Sequence, residues 1–143
     1  MQILKFAPML ACILLTYGCT KPSPEYEHIR RLPYDQWAAY GETLPVKKRI
    51  DLQLEIVRRS GHPPSMDMVP AFKADPGPTY SEIIKRLRSG DRNRYYQMII
   101  YEIDGPKGFK ICDQQDRRVI QDFLNEIATP AVKLKDRPDF YFC

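Results

Sequence analysis

Val46-Lys47-Lys48-Arg49-Ile50-Asp51-Leu52-Gln53-Leu54-Glu55-Ile56-Val57-Arg58-Arg59-Ser60 is the stretch whose reading decides the fold. Val46, Ile50, Leu54 and Val57 recur at helical spacing, and Leu52 and Ile56 widen the apolar arc. An arc this wide predicts a helix with packed neighbours on two sides. Gly61 is placed to cap its C-terminus, and His62-Pro63-Pro64 stops it, since proline lacks the N–H that the next turn needs.

Working outward, similar punctuation recurs. Met66, Met68, Val69 and Phe72 suggest a short irregular helix broken near Pro70, and Asp75-Pro76-Gly77-Pro78 reads as a turn. Thr79 with Glu82 has capping-box spacing, opening a helix that carries Tyr80, Ile83, Ile84 and Leu87 on one face and ends at Ser89-Gly90-Asp91. From Arg92 to Ile103 the apolar residues point all round a helix, which suits a buried central one. Their β-branched and aromatic character also suits a strand, so a hairpin around 94–112 is the alternative. Asp113 can cap a last helix with the stripe Val119, Ile120, Phe123, Leu124 and Ile127. Upstream, Tyr34, Trp37, Ala38 and Tyr40 predict a short amphipathic turn on the body.

Expected helix starts near Val46, Tyr80 and Gln114 lie 34 residues apart, near the period of helical-repeat arrays, whose units must stack to bury their apolar faces. The segment from Leu44 to His62-Pro63-Pro64, followed by Ile83-Ile84-Lys85-Arg86-Leu87-Arg88, resembles a family of small bacterial lipoproteins with HEAT-like helical repeats. The resemblance covers Leu44 to Ile127. It implies an all-α fold, a short HEAT-like stack of antiparallel helices, with α+β as the alternative if 94–112 is a hairpin. That family has no well-established activity, so the resemblance informs fold more than function.

The N-terminus supports the same family by a separate route. Phe6 to Tyr17 is an apolar run after the single charge Lys5, shorter than the ~20 residues that span a bilayer. It ends in Leu15-Thr16-Tyr17-Gly18-Cys19, which resembles a lipoprotein processing site, though Thr16 takes a place where Leu is usual. On this reading residues 1–18 are a signal peptide, Cys19 is the lipidated first residue carrying acyl chains such as palmitate, 19–32 is a tether, and 33–143 is one helical domain. Ordinary secretion, with Cys19 a free or paired thiol, is the alternative. Thr20 rather than Asp after Cys19 resembles the pattern sent to the outer membrane, so the expected place is the cell envelope, lipid-anchored, facing the periplasm.

Removing 18 of the 143 residues leaves 125, enough for one modest core. The full chain has formal charge +4, and losing Lys5 makes that +3, too mild to imply nucleic acid. With Cys12 removed and Cys19 acylated, Cys112 and Cys143 remain. In an oxidising compartment they can form a disulfide closing a loop of about thirty residues, worth roughly 3 kcal/mol, or stay as two thiols.

Chemistry-bearing patterns are scarce. Two histidines, His28 and His62, give no metal-ligand spacing, and neither a nucleophile elbow nor a phosphate-cradling glycine loop occurs. Asp51 with Glu55, and Asp113 with Asp116, read as caps or solvated surface. No cofactor and no enzyme activity are therefore expected, although an unrecognised hydrolase stays open. Lys85, Arg86, Arg88, Arg92 and Arg94 crowd around one turn. They form either a solvated edge partly neutralised by Glu82 and Asp91 or a positive contact for an acidic protein, anionic lipid or cell-wall carboxylates. The expected function is protein binding by a membrane-anchored body, as an immunity or inhibitor lipoprotein acting on a periplasmic partner. A structural or assembly factor of the envelope is the alternative.

Overall fold

The computed structural model describes residues 21–60, 67–103 and 111–127, and within them the chain is all-α. Six α-helices follow in order: α1 (Pro24–Ile29), α2 (Trp37–Glu42), α3 (Val46–Ser60), α4 (Pro76–Arg88), α5 (Tyr96–Ile103) and α6 (Gln114–Ile127). Short 3-10 turns at Tyr34–Gln36 and Val69–Ala74 join them. The hairpin alternative fails at its first half, because residues 96–103 are helical and no strand element occurs among the described residues. Gly61 and His62-Pro63-Pro64 lie outside the described residues.

Helix α3 has the bounds expected of it, and its wide arc is used on two sides, α1 packing on one and α4 on another. Ile50, Leu52, Ile56 and Val57 are buried in a core completed by Phe72, Ile83, Leu87, Ile99 and Phe123. Helix α4 also packs against α5 and α6, so it is the central element. Both of its ends are tied to the first turns of α3: Arg49 reaches Asp75 before α4, and Arg86 near its end reaches Asp51 and the Lys47 carbonyl.

Three local readings are corrected. Helix α4 begins at Pro76 and not after a Thr79 capping box, since a proline costs nothing in a first turn whose N–H groups lack partners anyway. Thr79 is buried and its hydroxyl donates back to the Asp75 carbonyl at 2.7 Å. Helix α5 starts at Tyr96 rather than Arg92, because Asn93 turns the chain with its side-chain oxygen accepting from the Tyr95 N–H at 3.1 Å. The expected tether over 19–32 is mostly body: Ser23 caps α1 through its hydroxyl, and Ile29 is wholly buried. Acidic and basic residues gave 24–32 the composition of a linker, but Tyr26 and Ile29 supply the apolar contacts that dock it.

Two helix ends follow the sequence closely. Asp113 accepts from the N–H groups of Gln115 and Asp116 at 2.9 and 2.8 Å, capping α6. After α4, Gly90 takes φ of 90° while its N–H reaches the Leu87 carbonyl and the Asp91 N–H the Arg86 carbonyl, a Schellman turn that a side chain at 90 would strain.

The least expected element of the core is Arg49, 1 % exposed. Its Nε donates to the Gly41 carbonyl at 2.8 Å, Nη1 to Ala71 at 3.0 Å, and Nη2 to the carbonyls of Glu42 and Leu44 and to Asp75 Oδ2. The guanidinium thus closes the C-terminal end of α2, where carbonyl dipoles concentrate negative charge and Gly41 also accepts the Leu44 N–H, and ties it to α3 and the 69–74 turn. Gly41 lets the same turn approach, for a Cβ there would lie 2.9 Å from that of Ala71. Arg49→Ala should cost about 3–5 kcal/mol by leaving buried carbonyls unpaired. Arg49→Lys should recover little of it, and Gly41→Ala should cost roughly 1–3 kcal/mol by overpacking. Urea unfolding midpoints of the three variants check this.

Candidate functional site

The arginine-rich turn was the site expected from sequence, and the structure divides its members. Lys85 is exposed. Arg88 pairs with Asp116 at 2.8 Å and Arg92 with Glu126 at 3.3 Å, both across to α6. Arg94 lies over the ring of its neighbour Tyr95, 5.1 Å from the centroid. Arg86 belongs to the interior: its side chain is 13 % exposed, with Nε on Glu82 at 2.9 Å, Nη1 on Asp51 at 2.7 Å and Nη2 on the Lys47 carbonyl. Five cations therefore do not make one unopposed surface. Four stay near the outside, two of them neutralised by α6, and the fifth is a strut between α3 and α4.

What the strut supports is a cleft of about 730 Å³ between α3 and the turn after α4. Asp51, Leu54, Glu55 and Arg58 come from one face of α3, at the i, i+3, i+4 and i+7 spacing that aligns side chains along a helix. Asp91, Asn93 and Tyr95 form the opposite wall, and Arg86 closes the gap between the two. The wall is braced from behind, where the Tyr96 hydroxyl donates to Asp91. Burial and that carboxylate push the Tyr96 pKa up to about 12, while Arg86 opposes the rise. Burial works against the charge of Arg86, but its hydrogen bonds to Asp51 and Glu82 and with Tyr96 outweigh it and raise its pKa further. These groups are spent on holding shape.

Glu55 corrects another expectation. Read as solvated surface, it is buried, accepting the Ser23 N–H at 3.1 Å and the Arg59 Nε at 2.7 Å. Burial pushes its carboxyl up, yet the Ser23 hydrogen bonds and the Arg59 charge more than compensate, so its pKa falls below the usual glutamate value. Arg59 in turn lies over Tyr26, 5.3 Å from the ring centroid, so both members of this ion pair within α3 contact the α1 segment. Sequence alone missed this because the partner of Glu55 is a backbone N–H thirty-two positions away.

Groups available to a ligand are fewer. Arg58 is exposed and has no partner among the described residues, Asp51 keeps 55 % of its side chain exposed, and Leu54, Asn93 and Tyr95 are half-buried. Around the corner, Arg94, Tyr95, Gln97, Met98 and Ile127 line a shallower groove of about 370 Å³, which Tyr95 shares with the cleft. Among the described residues no three metal-ligating side chains gather, and no helix is long and apolar enough to cross a membrane.

Cys19 and Cys143 lie outside the described residues. Cys112 is exposed after Ile111. No protein-family model, characterised protein or solved structure matches this chain.

Arg86→Ala should lower stability by roughly 1–3 kcal/mol, whereas Arg88→Ala and Arg94→Ala, at exposed positions, should each stay within about 0.5 kcal/mol of the parent. Thermal melts separate the two groups. A lowered Glu55 pKa contributes stability that is present above the unfolded-state value and lost as pH falls through the folded one. The gap in unfolding free energy between parent and Glu55→Gln should accordingly be widest near neutral pH and close in acid; a gap that widens in acid would reverse the sign of this assignment.

Proposed function

We propose that this chain is a lipid-anchored protein of the cell envelope, held in the outer membrane through Cys19 and facing the periplasm, that binds another protein through the cleft of α3. The observation that carries the binding half is the cleft's makeup. Its two pre-set walls carry Tyr95 on one side and half-buried Leu54 and Arg58, which has no partner among the described residues, on the other, side chains able to bury area or make charged hydrogen bonds without reorganising the fold. Tyr and Arg dominate binding energy at protein interfaces for those reasons. The cleft is open, so it suits a partner's surface segment better than an enclosed small molecule. The anchoring half rests on the Gly18-Cys19 signal, and a pairing of Cys112 with Cys143 is part of the same proposal of an oxidising compartment.

Among protein-binding roles, an immunity or inhibitor lipoprotein fits a small tethered body with one rigid interface. An assembly factor of the envelope would use the same surface, and genetics distinguishes them. An immunity role requires that deletion kill cells only while a neighbouring toxin gene is intact; envelope sensitivity with no such dependence would mark the assembly factor.

Two measurements test the reading. Radioactive palmitate should label the wild-type chain and not Cys19→Ser, and label persisting in the variant would end the lipid assignment. Arg58→Glu with Tyr95→Ala should weaken binding of the purified product of the neighbouring gene by tenfold or more, on the order expected of an interface hot spot. Unchanged affinity in a correctly folded variant would remove the cleft from the interface.

A further inference from the structure

The hydrogen-bonding groups of the α3 cleft divide into those the fold has used and those it has left. Each carboxylate already has a donor: Asp51 takes Arg86 Nη1 at 2.7 Å, Glu55 takes the Ser23 N–H and Arg59 Nε, and Asp91 takes the Tyr96 hydroxyl and, at 3.3 Å, the Asn93 N–H. Arg86 is divided among Asp51, Glu82 and the Lys47 carbonyl. What remains is mostly donors. The Arg58 guanidinium has no partner among the described residues. Asn93 commits its amide oxygen to the Tyr95 N–H at 3.1 Å, which leaves its NH2 to donate. The Tyr95 oxygen accepts from Arg94 Nη2 at 3.3 Å and keeps its own O–H. Asp51, its side chain 55 % exposed, retains acceptor capacity at the far end of the α3 face.

From this inventory we infer that the cleft takes a short extended segment of the partner protein carrying a single Asp or Glu, whose carboxylate is held by Arg58 on one wall and by Asn93 and Tyr95 on the other. This rests on the protein-binding role proposed above and is independent of the lipid anchor. A carboxylate matches these donors because it only accepts, and it can take a guanidinium through two parallel hydrogen bonds. From Asp51 to Arg58 the face of α3 runs seven residues, about 10 Å, the length of roughly three residues of extended chain. Polarity along that length sets the register. Arg58 stands at one end and Asp51 at the other, so an acid placed toward Asp51 meets a like charge, and a run of acids is rejected where one acid is accepted. Between them Leu54 and Tyr95 supply apolar area. A segment seated there excludes water from the new ion pair, which is then worth more than a pair left on an open surface.

The test uses the full chain and a phage library of random peptides fused through their C-termini to the coat protein, so that no free C-terminal carboxylate is offered. Peptides selected on the parent and lost on Tyr95→Ala should share one Asp or Glu with no second acid beside it. A synthetic copy with an amidated C-terminus should lose about tenfold or more in affinity when that acid becomes Asn or Gln, and Arg58→Glu should cost as much. A copy with Lys at the same position should bind Arg58→Glu better than it binds the parent, as a direct charge pair requires. Asn93→Asp, which keeps the oxygen that serves the Tyr95 N–H and removes the NH2, should weaken the original peptide severalfold. Thermal melts verify that the variants fold. Cleft-dependent peptides that share no acid, or polyglutamate or free glutamate competing as well as the selected peptide, overturn the inference and leave the cleft a binding site. A selection that yields no peptide sensitive to either Arg58→Glu or Tyr95→Ala overturns the proposed role of the cleft as well.

Discussion

Everything in this fold turns on a buried guanidinium. Arg49 sits where α2 ends, α3 begins and the 69–74 turn returns, three pieces of chain that each bring carbonyl oxygens into the interior. Hydrophobic contact alone cannot join them, because those oxygens would be desolvated without donors. An ammonium group has three donors on a single atom and cannot reach acceptors this far apart; the planar fork of arginine serves five at once. Asp75, partly exposed, supplies the counter-charge, while the carbonyl dipoles at the end of α2 supply the rest.

Arg86 repeats the device nearer the surface. It joins α3 to α4 through Asp51, Glu82 and the Lys47 carbonyl, so the helix pair is locked at two places by side chains that sequence inspection sorts as solvent-facing. Rigidity there has a consequence for binding. The walls of the cleft are set before any partner arrives, so less conformational entropy is lost on association.

Much of the architecture was legible in the sequence because periodicity reports burial directly. The apolar positions of α3, the Asp113 cap and the stripe of α6 needed no information beyond their own neighbourhoods. Arg49, Glu55 and Arg86 were not legible, for a shared reason. Each is a charged residue whose burial depends on partners 22 to 39 positions away, and a charge on a helix face looks the same in sequence whether it meets water or a carbonyl. The arginine cluster was visible as composition, but composition could not sort Arg86, which is structural, from Arg94, which is surface. Helix α1 was hidden in the same manner: its two apolar residues are too few to show a period, yet they suffice once Glu55 fixes its start.

That last dependence links fold to use. Ser23 is capped through its own hydroxyl and clamped to α3 by Glu55, and the cleft shares that clamping carboxylate. The same carboxylate that stabilises the packing of α1 is thus part of the cleft lining, and loss of Glu55 would loosen both together.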